Sequence, residues 1–349
     1  MGLPQIIINF RTAGSSAVRR SARGQAVLLA EGEKAELYSF SEAEQAESAG
    51  LEEDCRRLLR LCFLGGPAKV LLYLYPKGEE TAALARCAPA AEGGWLCAPQ
   101  MDAQTVTAFV KSKRAEGRPL RAVVSSETGP DCAGIVNLTT QGITVLLEGK
   151  TETVDTADYC ARIAGILAGL SLRESATYYS LPEVTGFVRS EDEEADIAAG
   201  RLILDQGSEG ARIARAVTSL TTLSQPGDSA FQKIKIAEGV DLIRADIRGV
   251  FESEYVGKVL NDYDSKLLLV TAINSYFAGL EGSVLDTGRR NTASVDFEAQ
   301  KRWLEGRGVD TAALSDTAIL SANTGSQVFL RANLRFADAM EDLTFEISM

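Results

Sequence analysis

Three short segments and six cysteines hold the residue types from which this chain could build chemistry. Leu64-Gly-Gly-Pro-Ala-Lys69 has the glycines and lysine of a phosphate-cradling loop, and Asn261-Asp-Tyr-Asp264 has oxygen ligands suited to calcium. Glu191-Asp-Glu-Glu194 could offer carboxylates to a hard cation. None has the spacing the chemistry needs. The first lacks Gly-x-x-x-x-Gly-Lys-Ser/Thr and precedes an apolar run instead of joining a strand to a helix, so it reads as a helix stop and turn. The second lacks the sharp-turn glycine and the closing glutamate, so it reads as a helix cap. The third reads as the acidic start of a helix, where carboxylates complement the helix dipole.

Histidine is absent from the sequence. That removes Ser-His-Asp and Cys-His nucleophile activation, imidazole-ligated metals and the usual general base. Chemistry based on lysine or carboxylates stays open. The cysteines (Cys55, Cys62, Cys87, Cys97, Cys132 and Cys160) form no Cys-x-x-Cys pair and, with no secretory leader visible, are expected to be reduced thiols. Cys55 and Cys62, seven apart on the apolar face of a helix, are expected to serve packing. Neither Gly-x-Gly-x-x-Gly nor Gly-x-Ser-x-Gly occurs. No catalytic, cofactor-binding or metal-binding residue is assigned, and no enzyme is expected.

The elements that would position a site are those of a soluble two-domain protein, as 349 residues with 45% hydrophobic and 24% charged content suggest. A net charge of −12, from 36 basic and 48 acidic residues, disfavours a nucleic-acid partner. The apolar helical stretches Ala161–Leu170 and Leu267–Ile273 are too short to span a membrane, so no membrane insertion is expected.

Strands and helices alternate through the first half. Ala26–Leu29, Val70–Tyr75, Arg121–Val124 and Gly134–Leu138 read as strands. Leu51, Cys55, Leu58, Leu59, Cys62 and Phe63 follow helical spacing up to Gly65-Gly66, and Tyr159, Ile163, Ile166, Leu167 and Leu170 form a second stripe. Asp102 is placed to cap a helix containing Val106 and Val110. This alternation predicts an α/β domain with a largely parallel sheet. From Glu191 the texture changes. Arg201–Leu204 and Ile213–Thr222 read as strands, followed by helices near Ala237–Glu252, Tyr263–Leu280 and Val295–Glu305.

The two ends are strand-like. Near the start, Ile6, Ile8 and Phe10 lie on one face of Pro4–Arg11; near the end, Leu343, Phe345 and Ile347 alternate with Thr344, Glu346 and Ser348. Residues 1–24 hold Arg11, Arg19, Arg20 and Arg23 with no acid, while residues 338–349 hold Asp338, Glu341, Asp342 and Glu346 with no base. Such strands either complete the chain's own sheet or add to a sheet of another copy. The pattern alone leaves both open.

Several segments, in order, resemble contractile phage tail sheath proteins. They are Ala211-Arg-Ile-Ala-Arg-Ala-Val-Thr-Ser-Leu-Thr-Thr222, Phe231–Ile236, Val240–Ile247, Tyr255-Val-Gly-Lys-Val-Leu-Asn261, Gln300-Lys-Arg-Trp-Leu304 and Asp338-Ala-Met-Glu-Asp342. The opening Gly2–Phe10 is similar to the short sheaths of Gram-positive phages and tail-like bacteriocins. The resemblance covers roughly residues 200–349, and residues 25–190 share only its general α/β texture.

The resemblance implies a mixed α+β fold. Its expected parts are an N-terminal arm (1–22), an α/β domain (23–190), an α+β sheath core (191–337) and a C-terminal arm strand (338–349). It implies a structural subunit without cofactors, assembled in the bacterial cytoplasm into a virion tail or tail-like particle. Its implied partners are further copies of itself in stacked hexameric rings, an inner tube protein, and baseplate and terminator proteins. Arms carrying Ile6, Ile8, Phe10, Leu343, Phe345 and Ile347 would complete sheets in neighbouring copies. The sheath would switch one way, from long and narrow to short and wide, driving the tube through a cell envelope. Lys301 and Arg302 are the expected tube-facing residues. The alternative is a soluble α/β enzyme or ligand-binding protein whose terminal strands stay in its own sheet. A third reading is another phage structural protein, such as a tube or baseplate component.

Overall fold

The central strand Gln25-Ala-Val-Leu-Leu-Ala-Glu31 (β1) is buried along its whole interior, as its unbroken apolar run demands. Alternate side chains serve opposite faces: Ala26, Leu28 and Ala30 enter one core, and Val27 and Leu29 enter the other. Each fully buried leucine contributes about 1.5–3 kcal/mol relative to exposure. The computed structural model describes residues 24–225 and 227–348, and these fall into two compact bodies. One holds 24–245 with 338–348, the other 246–337. The expected arm with Ile6, Ile8 and Phe10 lies outside the described residues.

In the first body the strands follow in chain order as β2 (Glu36–Phe40), β3 (Lys69–Tyr75), β4 (Trp95–Cys97), β5 (Ala122–Val124) and β6 (Ile135–Leu138). Then come β7 (Ile143–Leu147), β8 (Lys150–Val154), β9 (Val184–Gly186), β10 (Arg201–Leu202), β11 (Leu204–Gly207) and β12 (Gly210–Ile213). The main sheet runs β10-β6-β5-β4-β1-β3-β2, parallel except for the edge strand β2. β8-β7-β9 and β11-β12 form two smaller antiparallel sheets. The change of texture at Glu191 falls inside this body, because β10 extends the main sheet beside β6.

Helices α1 (Glu53–Phe63) and α4 (Thr156–Gly169) cover one face of the sheet, and α2 (Glu80–Ala91) and α3 (Ala103–Ala115) cover the other. Asp102 caps α3 as expected, accepting from the Thr105 amide at 2.9 Å. Gly65, just past α1, has a packing role. A Cβ on Gly65 would lie 2.2 Å from the Gly165 backbone, and one on Gly165 would lie 1.9 Å from the Cys62 carbonyl oxygen. Only glycines let these backbones approach so closely. The short helix α5 (Glu193–Ala198) starts in the acidic run, with Asp192 accepting from the Ala195 amide at 3.0 Å.

One sequence expectation is corrected. The strand expected over Ile213–Thr222 ends at Ile213, and residues 214–222 run irregularly. Their polar groups bond to segments distant in sequence. Thr218 Oγ1 donates to the Phe231 carbonyl (2.9 Å), the Ser219 amide to the Ile135 carbonyl (2.7 Å), and the Thr221 and Thr222 amides to the Asp131 carboxylate (2.8 and 2.9 Å). The Asp131 carboxylate and the Ile135 carbonyl take the amides that a strand ladder would have used.

Helix α6 (Ile234–Val250) carries the chain onward and passes into one π-helical turn at Phe251–Tyr255. The second body then has α7 (Tyr263–Leu280), β13 (Thr292–Val295), α8 (Phe297–Glu305), α9 (Asp316–Ser321) and β14 (Leu330–Asn333). Helix α7 has the bounds expected from sequence, with Asp262 accepting from the Ser265 amide at 2.8 Å. α8 begins two residues later than expected, because Val295 ends β13 and Asp296 is the cap.

Candidate assembly surface

In a parallel α/β sheet a ligand is expected beyond the carboxyl ends of the central strands. Beyond β4 and β5 the space is nearly filled, with a gap of about 20 Å³ lined by Cys97, Met101, Val123 and Cys160; beyond β1 and β3 an open cavity of about 260 Å³ is lined by Glu31, Glu33, Glu52 and Leu74. Small-molecule sites usually measure ~300–1,000 Å³. All six cysteines are buried and unpaired with one another. Burial pushes the Cys55 thiol up to about 11 and those of Cys62 and Cys87 to about 12, so these three are not ready nucleophiles.

The buried charges of the first body are matched. Arg114 holds Asp241 through two bonds of 2.7 and 3.0 Å, and Arg121 holds Glu238 at 2.8 Å while stacking on Trp95. Glu183 accepts from Tyr159 Oη at 2.8 Å and Arg162 Nε at 2.6 Å. These pairs fix α6 and β9 in place; breaking one partner would strand a charge in the interior. Among the described residues no group of three or more acids or cysteines is arranged to hold a metal. No described helix is long and apolar enough to cross a membrane.

The second body has an unfinished sheet. β13 and β14 pair antiparallel, Ala293 opposite Ala332 and Ser294 opposite Arg331. The Ala293 amide donates to Asn274 Oδ1 (2.6 Å), and Asn274 Nδ2 donates to the Ala293 carbonyl (3.2 Å). Both peptide groups of Ala293 thus point away from β14, and its partner Ala332 must point away from β13. The bond from the Asp296 amide to the Phe329 carbonyl (2.9 Å) fits the same alternation. One edge is closed by a side chain. Among the described residues, no strand covers the other edge, at Leu330 and Ala332.

The C-terminal segment combines a fixed root with a bare tip. The Glu341 side chain is 7% exposed. Its Oε1 accepts from Ser175 Oγ at 2.8 Å and Thr177 Oγ1 at 2.7 Å, while Oε2 faces Arg215 at 3.4 Å and Lys233 at 3.6 Å. Asp342 pairs with Arg215 and Asp338 with Lys233. The Arg215 pKa is raised, chiefly by its hydrogen bond to Asp342. Burial pulls Lys233 down, but the bond and charge of Asp338, with the charge of Glu341, leave it raised. Beyond this root Leu343, Phe345 and Ile347 are 90, 76 and 75% exposed.

The strand expected at 343–347 is not formed in the isolated chain, where residues 338–348 hold no strand pairing. An extended segment with no neighbour to share its peptide hydrogen bonds has nothing to fix it as a strand. Arg302 is exposed, its Nε donating to the Glu298 carbonyl at 3.2 Å, and Lys301 beside it is half-buried. Of their helix's expected inward stripe, Leu304 is buried and Phe297 only half-buried; Gln300 is the other buried residue.

Two features gave no usable sequence signal. The root socket gathers Ser175, Thr177, Arg215, Lys233 and Glu341 from distant segments; only the uncompensated acids at 338–342 hinted at it. Lys266 is buried without a carboxylate, donating to Thr324 Oγ1 (3.1 Å), the Ala322 carbonyl (3.2 Å) and Gln300 Oε1 (3.4 Å). Burial lowers its pKa. It looks like any helix-face lysine in the sequence. Here it stitches α7 to α8 and to the loop after α9, beside a groove of about 510 Å³ lined by Tyr255, Val256, Leu260, Leu269 and Val328.

Residues 227–349 match the family described as the phage tail sheath C-terminal domain. The chain is 29% identical over 362 aligned positions to the tail sheath protein of Clostridium phage phiCD119, covering 100% of this chain and 99% of that protein. Its fold is similar to a sheath tail protein of Listeria innocua (TM-score 0.64, 14% identity, 94% of this chain and 99% of that one). It is also similar to the helical sheath of the anti-feeding prophage in its contracted state (TM-score 0.66, 13% identity, 93% of this chain and 92% of that one).

Proposed function

We infer from these similarities that the chain is a phage tail sheath subunit, and from that premise follows how it assembles and works. The observation that carries the proposal is the C-terminal segment: a buried acidic root followed by three uncovered apolar side chains, Leu343, Phe345 and Ile347. In a second copy the sheet β13–β14 offers an edge, at Leu330 and Ala332, that no strand among the described residues pairs. Strand addition would satisfy that edge and cover the tip, with alternate side chains fixing the register. The N-terminal residues Ile6, Ile8 and Phe10 contribute a second linking strand. Residues 1–22 and 338–349 are then the arms of the subunit, and the compact bodies 24–245 and 246–337 carry them.

Linked in this way, copies build stacked hexameric rings around an inner tube protein, bounded by baseplate and terminator proteins, in a tail or tail-like particle assembled in the bacterial cytoplasm. Firing is a one-way lattice switch that buries more surface between subunits and releases the tube, without nucleotide or catalysis. Half-buried Lys301 and exposed Arg302 are the proposed tube contact, because ion pairs screened by water are weak enough to break. Lys301→Glu with Arg302→Glu should leave the fold intact and make tube-filled extended particles rare; normal numbers would exclude this surface.

Replacing Phe345 and Ile347 with Asp tests the arm. Burying two carboxylates in the added strand costs several kcal/mol, so polymerisation should fail while circular dichroism stays native. Loss of the fold would place the strand in the chain's own core.

A further inference from the structure

The socket around Glu341 is a built site whose purpose the arm model does not supply. Thr177 Oγ1 is preset, accepting from the Ala216 amide at 3.0 Å while donating to Glu341. The next residue, Tyr178, has φ +59°, a conformation that bulky side chains avoid. It is held there by its amide bond to the Ile213 carbonyl (2.8 Å) and by the Arg212 guanidinium 3.6 Å from its ring. Arg212 is fixed in turn by Asp205 at 2.7 Å. Strain of this kind persists where the surroundings over-determine it, and it clusters at working sites. Three acids (Asp338, Glu341, Asp342) meet two bases (Arg215, Lys233), and the central acid is the buried one.

We propose that the Glu341 socket is the permanent root of the C-terminal arm, staying closed when a second copy takes up the tip. This rests on the reading of 343–347 as an arm. Glu341 is a positioning residue: it does not touch the neighbour but sets where the tip can go. With Asp342 fixed, at ~3.3 Å per extended residue Phe345 reaches about 10 Å and Ile347 about 16 Å from the root. The receiving edge of the neighbour must therefore lie within that radius in every state of the lattice. A released root would add length to the link and loosen that constraint.

Spin labels on the full chain test this. The native thiols are buried, so Ala339→Cys, half-buried between Asp338 and Glu341, and Ser348→Cys, exposed at the tip, each give one labelling site. In the monomer the label at 339 should be restricted and that at 348 mobile. In tubes 348 should become restricted, with 339 unchanged. Glu341→Ala should free position 339 and cut tube yield at least tenfold; Glu341→Gln, which still accepts from Ser175 and Thr177, should fall between. A label at 339 that becomes mobile in tubes, or a Glu341→Ala protein that polymerises normally, would overturn the proposal. A label at 339 already mobile in the monomer would overturn the socket itself. Failure of the unaltered protein to form tubes, with position 339 restricted, would instead sink the sheath reading.

Discussion

Asn274 occupies the outer edge of β13 by pairing with both peptide groups of Ala293, at 2.6 and 3.2 Å. A side-chain amide thus stands in for a neighbouring strand, and among the described residues it leaves the two-stranded sheet with a single place to grow. Uncovered edges are hazards that proteins normally blunt, so an edge left open opposite one so carefully closed points to an intended partner.

The direction of this edge can be tested with two prolines. Ala332→Pro removes an amide that points away from β13, so the fold should survive while tube formation is lost. Arg331→Pro removes an amide inside the β13–β14 ladder and should lower thermal stability as well. Tubes from the Ala332→Pro protein would show that β14 is not the receiving edge.

A pair of glycines should respond in opposite directions to alanine. At Gly165 the added Cβ would meet the Cys62 carbonyl oxygen at 1.9 Å, backbone against backbone, with neither able to yield cheaply. Gly165→Ala should cost about 3 kcal/mol or more. At Gly249, in α6, nothing lies within 4 Å of the new methyl, so Gly249→Ala should gain about 0.5–1 kcal/mol from helix propensity. Chemical denaturation of the two variants checks both signs.

The parallel sheet was legible because β1 and β3 are apolar runs with no other plausible place than a doubly covered sheet. Asp102, Asp262 and the cysteines at 55 and 62 also behave as their local pattern implied. In the hairpin β7–β8, strand β8 (Lys150-Thr-Glu-Thr-Val154) is exposed up to Val154 and lacks a hydrophobic period, while β7 buries only Ile143 and Val145, too short a pattern to stand out. Segment 213–222 misled because Val217, Leu220 and their neighbours suit a strand, while the decisive partner, Asp131, lies 90 residues away in sequence from Thr221. The Glu341 socket is likewise made of long-range contacts, which no local window contains.

Asp131 also carries a pH dependence. Hydrogen bonds from Thr222, then Thr221, hold its carboxyl well below the usual carboxylate range. A group depressed in the fold contributes stability above its unfolded pKa, near ~3.9, and that contribution is lost as the pH falls toward the folded value. Asp131→Asn should therefore destabilise the protein at neutral pH and flatten its acid unfolding below about pH 4. An unchanged acid limb would mean that the clamp on 221–222 does not couple to folding.

Electron microscopy of the purified, unaltered chain, negatively stained, alone and with its inner tube protein, tests the central claim most directly. The account predicts tubes of stacked six-fold rings, with extended, tube-filled particles where the tube is supplied. A stable monomer at high concentration under both conditions, forming no rings or filaments, would contradict it.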